Sequence, residues 1–270
     1  MQQHKHSKFG PAFIVLACVL LHAVLGVAGP ARALGLPFVV GEKLTYILKW
    51  GFIPAGEAVL EVLPLTKISG EEAYHFVLTA RSNGFVDPFY KVRDRIESFT
   101  DAGITRSLHY LKKQREGSTD KDIVVTFDWD EMTAQYANYG DLIDPIPLLP
   151  GSFDPLGAFF YTRLVAFTTG DEISRPVTDG KKNVIGRVRI IKREKISVPA
   201  GTFDTYMIEP EMQDVGGVFR KSKNAKLQIW ITADSRRMLV KIKSKVVVGS
   251  FVGELVSATE QSGKAYASEK

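Results

Sequence analysis

The sequence has almost no cysteine: Cys18 is the only one among 270 residues. A single thiol cannot form an intrachain disulfide, so the folded state must depend on a large apolar core. Long apolar runs are also scarce, because the one at residues 12–27 is not followed by another that could span a bilayer. We therefore expect the chain beyond residue 33 to be soluble or peripheral to a membrane.

Histidine is scarce after residue 33, where only His75 and His109 occur. A zinc site needs more nitrogen or sulfur ligands than these two residues supply, so we expect no metal site. The G-x-S-x-G elbow of hydrolases, the dinucleotide-binding glycine pattern and the P-loop are all missing. The sequence therefore predicts no cofactor and favours a protein that is not an enzyme.

The first 33 residues read as a targeting segment. Residues 1–10 carry lysines and no acid, residues 12–27 are apolar, and Ala31-Arg32-Ala33 is a small-x-small cleavage pattern. This arrangement is typical of a secretory signal peptide, with an uncleaved anchor as the alternative. We expect a periplasmic or secreted protein that begins at Leu34.

The rest of the chain alternates apolar and polar residues with a period of two, which is typical of strands buried on one face. Short runs of this kind follow one another, separated by Gly, Asp or Asn, as in antiparallel meanders. The clearest runs are residues 44–50, 58–62, 74–80, 90–96, 104–110, 123–129, 184–190, 227–231 and 240–246.

One segment breaks this period. Asp154-Pro155 supplies an N-cap and a first-turn proline, and the apolar residues that follow predict a buried helix at 154–167. A short helix or turn is expected at 84–89. The fold class is therefore mainly β, a strongly curved antiparallel sheet or open β-barrel with one principal helix packed on or in it. We expect one domain at 34–256 and a polar tail at 257–270.

A curved sheet of this kind could hold an apolar trough that a helix fills or covers. Large aromatic side chains on the predicted inner face and on the helix are the candidates for its lining. These ligand-binding candidates are Trp50, Phe76, Phe127, Trp129, Phe159 and Phe160.

Carboxylates are the remaining candidates for chemistry. Asp94 shares the parity of apolar neighbours, so it should point inward as a buried charge that needs a partner, either a cross-strand cation or backbone N–H groups. Asp128 and Asp130 would share one strand face, close enough for acid–base work, although their alternation with Phe127 and Trp129 at a strand end favours a solvated strand face.

Charge is unevenly distributed along the chain. Residues 181–245 hold 16 Lys and Arg against 6 Asp and Glu, whereas the rest of the chain after residue 33 is acidic. Such segregation favours a surface for an anionic partner over an evenly solvated surface, and outside the cytoplasm that partner would be phospholipid or glycan rather than nucleic acid. The candidates are Arg187, Arg189, Lys241, Lys243 and Lys245.

Four segments occur in the order and spacing of the bacterial domain-of-unknown-function family 3108, which the sequence resembles over residues 37–255. They are residues 37–51, 90–98, 198–205 and 229–237. The resemblance implies an envelope protein without an assigned reaction, and it transfers no catalytic residue. More distantly, the strand and helix order is similar to that of periplasmic lipoprotein carriers, open β-barrels lidded by helices over an apolar cavity, and this likeness implies a fold without implying a function.

Three functions are consistent with these features. The first is a non-catalytic envelope module that binds a lipid or another amphipathic anionic ligand, with the membrane surface as a further possible partner. The second is an interaction or structural protein with a packed core, whose partner protein the sequence does not identify. The third is a hydrolase that uses the inward carboxylates. A cavity would distinguish them, because a carrier needs an unfilled apolar one and an enzyme needs polar groups that converge inside it.

The first testable prediction concerns processing. Because Ala31-Arg32-Ala33 follows the apolar segment, N-terminal sequencing of protein isolated from the envelope should read from Leu34. A sequence that begins at Met1 would contradict cleavage.

Overall fold

The computed structural model describes residues 35–211, 226–246 and 249–259. The expected signal peptide at 1–33, its cleavage site and most of the expected tail lie outside these residues. Within them the fold class predicted from the sequence is confirmed, since the chain is mainly β, with one helix and one large antiparallel sheet that is not closed. No helix among the described residues has both the length and the apolar character needed to cross a bilayer.

The strands alternate along the chain with short turns, as the period-two pattern indicates. They are β1 Lys43–Trp50, β2 Ile53–Ile68, β3 Glu71–Ser82, β4 Arg93–Asp101, β5 Ser107–Glu116, β6 Thr119–Asp128, β7 Thr133–Asn138, β8 Asp141–Leu142, β9 Ile146–Pro147, β10 Glu172–Thr178, β11 Asn183–Val198, β12 Gly201–Pro210, β13 Lys226–Thr232, β14 Leu239–Val246 and β15 Gly249–Thr259. Residues 84–89 form a turn between β3 and β4.

The sheet runs in the order β10, β11, β12, β13, β14, β15, β1 and then β2 to β8. The first and last strands of the chain, β1 and β15, are therefore neighbours in the sheet, and Lys43 of β1 pairs with Thr259 of β15. The polar tail was expected from Ser257, but β15 continues through Ala258, which is buried, to Thr259. Pairing with β1 explains this extension, because the alternation of 257–259 is too short to mark a strand alone.

Both edges of the sheet are covered by short segments. β8 and β9 both pair with β7, at its two ends. On the other edge Phe153 forms a parallel bridge to Val177 of β10, donating its N–H to Pro176 and accepting from Thr178. These segments cover part of each edge and so shorten the unpaired backbone that could recruit another strand.

The helix α1 spans Pro155–Leu164 and is shorter than the predicted 154–167. Asp154 is its N-cap, as predicted, and its carboxylate accepts from the N–H groups of Leu156 and Gly157 at 2.8 and 2.9 Å. Val165 adopts extended backbone angles and ends the helix. The chain then places Phe167 edge-to-face against Tyr206 of β12, so tertiary packing rather than helical continuation buries that ring.

The N-cap also fixes the helix to the sheet. The buried Asp154 carboxylate accepts hydrogen bonds from the hydroxyls of Ser98 in β4 and Ser107 in β5, at 2.5 and 2.6 Å. Burial raises the pKa of the Asp154 carboxyl, although these donors oppose that shift. A Cβ at Gly157 would lie 2.8 Å from the Ser98 hydroxyl oxygen, so only glycine permits this approach.

Arg163, near the C-terminal end of α1, makes a second attachment. Its guanidinium forms a two-point ion pair with Glu42, with N–O distances of 2.6 and 3.0 Å, and both side chains are almost fully buried. The same group donates to the carbonyl oxygens of Pro37 and Arg236. These bonds join the helix to the segment before β1 and to the turn between β13 and β14.

Between the two attachments, α1 packs into a single apolar core to which strands from both halves of the sheet contribute. We call the face of the sheet that carries this core the inner face. We call the end of the sheet near Arg163 the helix end, and the opposite end, where β1 finishes at Trp50, the distal end. An eight-residue strand such as β1 separates the two ends by roughly 25 Å.

The second testable prediction concerns the buried ion pair. Arg163→Met leaves the Glu42 carboxylate buried and unpaired, so it should lower the free energy of unfolding by about 3–5 kcal/mol in urea denaturation. Arg163→Met combined with Glu42→Gln should recover part of that loss, because no ion then remains buried. A single variant as stable as the parent would show that the pair is not a main support of the helix.

Candidate functional site

The aromatic residues predicted to line a trough do not line an open one. Phe76 and the helix residues Phe159 and Phe160 are fully buried, and the Phe76 and Phe160 rings stack with centroids 3.7 Å apart. The helix therefore fills the inner face at its own end of the sheet. In the described part of the chain these rings form a packed core and do not line an apolar cavity.

The remaining trough candidates lie elsewhere. Phe127 is buried and stacks on Trp129 at 6.2 Å, and Trp129 is partly exposed with its indole N–H bonded to the carbonyl oxygen of Ser107. Trp50 lies at the distal end, 38% exposed and stacked against Phe251. The structure thus divides the predicted lining among three places.

The predicted basic surface is largely neutralised by neighbouring acids. Arg189 bonds to Glu172 and Glu211 at 3.3 and 3.0 Å, and Arg187 lies within 4 Å of the same two carboxylates. Lys241 bonds to Glu254 at 2.7 Å and is half-buried. These three cations belong to local ion-pair networks that cross neighbouring strands.

Lys243 and Lys245 differ from those three. Both are exposed on β14, and Lys226 of β13 is directly opposite Lys245. No acid lies within ion-pairing distance of these lysines in the part of the chain that the structure describes. We call Lys226, Lys243 and Lys245 the lysine cluster; like charges in opposed positions cost stability unless an anion offsets them. Arg220, Lys221 and Lys223 lie outside the described residues.

Asp94 is buried on the inner face toward the distal end, where its Oδ1 accepts the N–H of Arg115 at 2.9 Å. Among the described residues, its Oδ2 has no hydrogen-bond partner. The register of β4 and β5 places Asp94 opposite Gln114, which is also buried and whose Nε2 has no partner either. Burial raises the pKa of the nearby Tyr90 phenol, and the charges of Glu116 and Asp94 add to that shift.

Asp128 and Asp130 do not share a strand face. β6 ends at Asp128, and the Asp128 carboxylate accepts the N–H groups of Asp130 and Glu131 at 3.1 and 2.9 Å. The first carboxylate therefore stabilises a turn, and a paired arrangement for acid–base work is not formed. The prediction from alternation along the strand was wrong because β6 ends at Asp128, directly before Trp129, so Asp130 lies in the turn that follows.

Three exposed phenylalanines at the distal end were not predicted from the sequence as functional residues. They are Phe52, which is 90% exposed, and Phe85 and Phe89, at 69% and 71%. We call them the aromatic tips. Large apolar residues inside segments with turn signals, such as Gly51-Phe52 and 84–89, were the available signal, since turns usually carry polar residues.

Hydrogen bonds between turns hold this end of the sheet together. Gly51 donates to the carbonyl oxygen of Ser250 at 2.8 Å, and Asn83 donates to that of Ala55 at 2.9 Å. Gly117, in the turn between β5 and β6, donates to Lys91 at 2.9 Å. Neighbouring turns from β15 to β6 are thus tied side by side.

The turn that carries Phe85 and Phe89 is also bonded internally. Asn83 accepts the N–H of Val86 on its side chain and that of Asp87 on its carbonyl. Asp87 in turn accepts hydrogen bonds from Ser82 and Arg93, and the Arg93 bonds are the main reason that the pKa of the Asp87 carboxyl is lowered. The two exposed rings are therefore presented by an ordered segment, with centroids 6.5 Å apart.

The outer face is the side of the sheet opposite the inner face. It has charged grooves rather than an apolar trough among the described residues. Two open grooves of about 480 and 420 Å³ share Glu57 and Arg81 in their walls, and these side chains pair with each other at 3.0 Å. No group of three or more His, Cys, Asp or Glu residues in the described ranges is arranged to hold a metal ion.

A small apolar cluster on the outer face brings the two histidines together. The His75 ring stacks on Phe99 at 4.2 Å and bonds to Glu97 at 2.7 Å, while the His109 ring lies 5.9 Å from Phe99. Both side chains are half-buried. Burial lowers the pKa of each imidazole, and for His75 it outweighs the opposing effect of Glu97.

The chain matches the family model described as "Protein of unknown function (DUF3108)" over residues 45–256, which is most of its length. None of the curated proteins matches it. Among solved structures, it is similar to a β-barrel-like protein of the domain of unknown function DUF1849 from Brucella abortus, with a TM-score of 0.55 and 12% identity over 82% of this chain and 98% of that chain. At this identity the similarity shows the fold alone.

Two further structures align over similar lengths. One is a candidate exported protein with a YmcC-like fold from Bacteroides fragilis NCTC 9343, with a TM-score of 0.39 and 10% identity over 83% of this chain and 98% of that chain. The other is a candidate lipoprotein from Parabacteroides distasonis ATCC 8503, with a TM-score of 0.33 and 12% identity over 82% of this chain and 96% of that chain. With TM-scores this low, neither contributes to a conclusion about function.

The third testable prediction follows from the two histidines. A base whose pKa is lowered in the folded state binds fewer protons there than in the unfolded chain. The folded protein therefore has its full stability above the unfolded pKa of the base, and it loses stability as the pH falls below that value. Urea denaturation should give a lower free energy of unfolding at about pH 5.5 than at about pH 7.5, a window that spans the unfolded histidine pKa. His109→Gln should reduce this difference, and an unchanged difference would contradict the prediction.

Proposed function

We propose that the chain, which belongs to the DUF3108 family of proteins of unknown function, is a non-catalytic binding module of the cell envelope that holds an amphipathic ligand of the lipid class at the distal end of its sheet. The envelope location belongs to the proposal and is supported by the basic and apolar segment at residues 1–33.

The observation that carries this proposal is the opposed pair Asp94 and Gln114. Each side chain is buried on the inner face, and each keeps one polar atom without a partner: Asp94 Oδ2 is an acceptor and Gln114 Nε2 is a donor. An unsatisfied buried polar group costs about 1–3 kcal/mol, so two of them in opposed positions call for an explanation. A bound molecule that donates to one and accepts from the other would supply it.

The surroundings of this pair favour an amphipathic ligand. Ala80 of β3 is directly opposite Asp94, and Ile96 and Ile123 extend the inner face beside the pair. An amide or hydroxyl group of the ligand fits the two polar atoms, whereas an anionic group is disfavoured beside the Asp94 carboxylate.

The interaction protein with a packed core is the second candidate, and the stacking of Phe76 on Phe160 favours it. Under that alternative no molecule satisfies Asp94 and Gln114 apart from water. The hydrolase alternative has less support, because the Asp128 carboxylate is engaged by the backbone of its own turn.

The fourth testable prediction concerns a retained ligand. The protein is purified from the envelope, extracted with organic solvent and analysed by mass spectrometry, in parallel with Gln114→Leu and the control variant Gln135→Leu. Gln135 lies on β7, where its amide already bonds to backbone carbonyls, so it is a matched glutamine with a structural partner. We expect an amphipathic molecule in the parent and the control, and at least tenfold less in Gln114→Leu.

Stability separates loss of the ligand from loss of the fold. Replacing Gln114, whose buried Nε2 has no described partner, by an apolar residue of similar size should leave the ligand-free protein equally stable or more stable. A parent protein that yields no bound molecule would overturn the proposal in favour of the packed-core alternative. Equal amounts in the parent and in a folded Gln114→Leu variant would overturn the assigned position.

A further inference from the structure

We propose that the distal end docks onto an anionic lipid bilayer, with the aromatic tips inserted among the lipid head groups and the lysine cluster facing the phosphates. This surface is separate from the interior position of Asp94 and Gln114, and it stands on side chains that point away from the core.

The first step is the exposure of the tips. Phe52, Phe85 and Phe89 leave most of their rings in solvent although the same chain buries most of its other phenylalanines. Exposed apolar side chains are ordinary when scattered singly, but clustering at one end of a molecule marks an interaction surface. Trp50, also partly exposed, ends β1 immediately before Gly51-Phe52 and adds an indole ring, which favours the interfacial region of a bilayer.

The second step is that the tips are carried by ordered turns. The bonds of Asn83 and the Asp87–Arg93 ion pair at 2.6 Å fix the segment that presents Phe85 and Phe89. The neighbouring turn is held where Gly51 donates to Ser250. Inserting rings that are already in position costs less conformational entropy than ordering a flexible loop would.

The third step is the position of the positive charge. Lys245 pairs with Ser250, whose carbonyl oxygen accepts the N–H of Gly51, so the lysine cluster and Phe52 are only a few strands apart. At the usual strand spacing this separation is roughly 10–15 Å. Lys226 and Lys245 are opposed without a described acid to offset them, and this like-charge pair indicates an anionic partner.

Charge along the distal end also limits which side can face the membrane. Lysines occupy β13 and β14, the tips follow between β1 and β4, and Asp120 and Asp141 are exposed on β6 and β8. The acids beside the tips, Glu57 and Asp87, are paired with Arg81 and Arg93. An anionic membrane surface would attract the side that carries the lysines and repel the side that carries Asp120 and Asp141. The bilayer should therefore contact the β13–β4 side of the distal end.

A bilayer fits this combination better than a protein partner does. Apolar rings at separate turn tips with basic side chains around them match the interface of a membrane, where apolar and anionic layers are adjacent. A second copy of the chain would present the same lysines and repel this surface.

The experiment measures co-sedimentation of the full chain with vesicles of phosphatidylcholine, with and without phosphatidylglycerol. The variants are Phe52→Ser with Phe85→Ser and Phe89→Ser, and Lys243→Gln with Lys245→Gln. Their matched controls at the helix end are Leu65→Ser and Lys67→Gln with Lys195→Gln, which change exposed residues away from the distal end. All these side chains are exposed, so each variant should fold, and this is checked by circular dichroism.

We expect binding to phosphatidylglycerol vesicles at low salt that the lysine pair variant weakens about thirtyfold, from about 1 kcal/mol for each basic residue near the surface. High salt should remove most of this difference. The triple phenylalanine variant should weaken binding at least tenfold at either salt concentration, and both controls should bind like the parent.

Depth is measured with a tryptophan placed at a tip. Brominated lipids should quench the fluorescence of the introduced tryptophan in Phe52→Trp and not in Leu65→Trp. Equal vesicle binding by the parent and the distal variants, or quenching at position 65 instead of 52, would overturn the proposal. So would a parent that binds no vesicles and loses a dimer on substitution of the tips, since this indicates self-association. None of these results depends on whether a ligand is extracted from the interior.

Discussion

The buried ion pair between Arg163 and Glu42 is the interaction on which the rest of the architecture depends. A helix of ten residues is marginal by itself, and α1 is stabilised by what it touches at each end. Asp154 attaches its first turn to β4 and β5, while Arg163 attaches its last turn to the segment before β1 and to the β13–β14 turn. Because both charges of the pair are buried, neither can be lost without leaving the other unsatisfied. The helix is therefore fixed across the inner face, and Phe160 is held against Phe76.

This placement makes the two ends of the sheet physically different. At the helix end the apolar core is filled, and the buried polar groups of Asp154, Arg163 and Glu42 are satisfied by one another and by the backbone. At the distal end Asp94 and Gln114 keep unpartnered atoms, and phenylalanines are exposed. Unpartnered buried atoms that occur together with exposed apolar rings are typical of a functional surface, since they persist only where something compensates for them.

The cations of the outer face are divided in a similar way, into those paired with acids and those without a described acid nearby. Several cations of the basic segment 181–245 lie opposite carboxylates from neighbouring strands, as Arg189 does with Glu172 and Glu211. Exposed pairs of this kind add little stability, but they remove free charge that could attract an anion. The lysine cluster at the distal end of β13 and β14 has no such acid among the described residues. The net charge of a sequence segment thus overestimates the surface that is available to a partner.

The sequence by itself determined nine of the fifteen described strands, the position of the helix start and the inward direction of Asp94, because these follow from local periodicity, from the Asp154-Pro155 cap and from parity along one strand. It did not indicate β7 to β10, β12 or β15. It also identified the family through four segments in register. Only the tertiary structure decided that Phe76 and Phe160 pack together, that Glu42 and Arg163 meet across 121 positions of the chain, and that Arg187 and Arg189 are neutralised. The physical reason is that cross-strand register and helix docking bring together residues far apart in the chain, and no local pattern records which side chains will be opposed. The exposed phenylalanines were predictable in part. The sequence indicated the turns that carry them, but only the tertiary structure showed that these turns share the distal end.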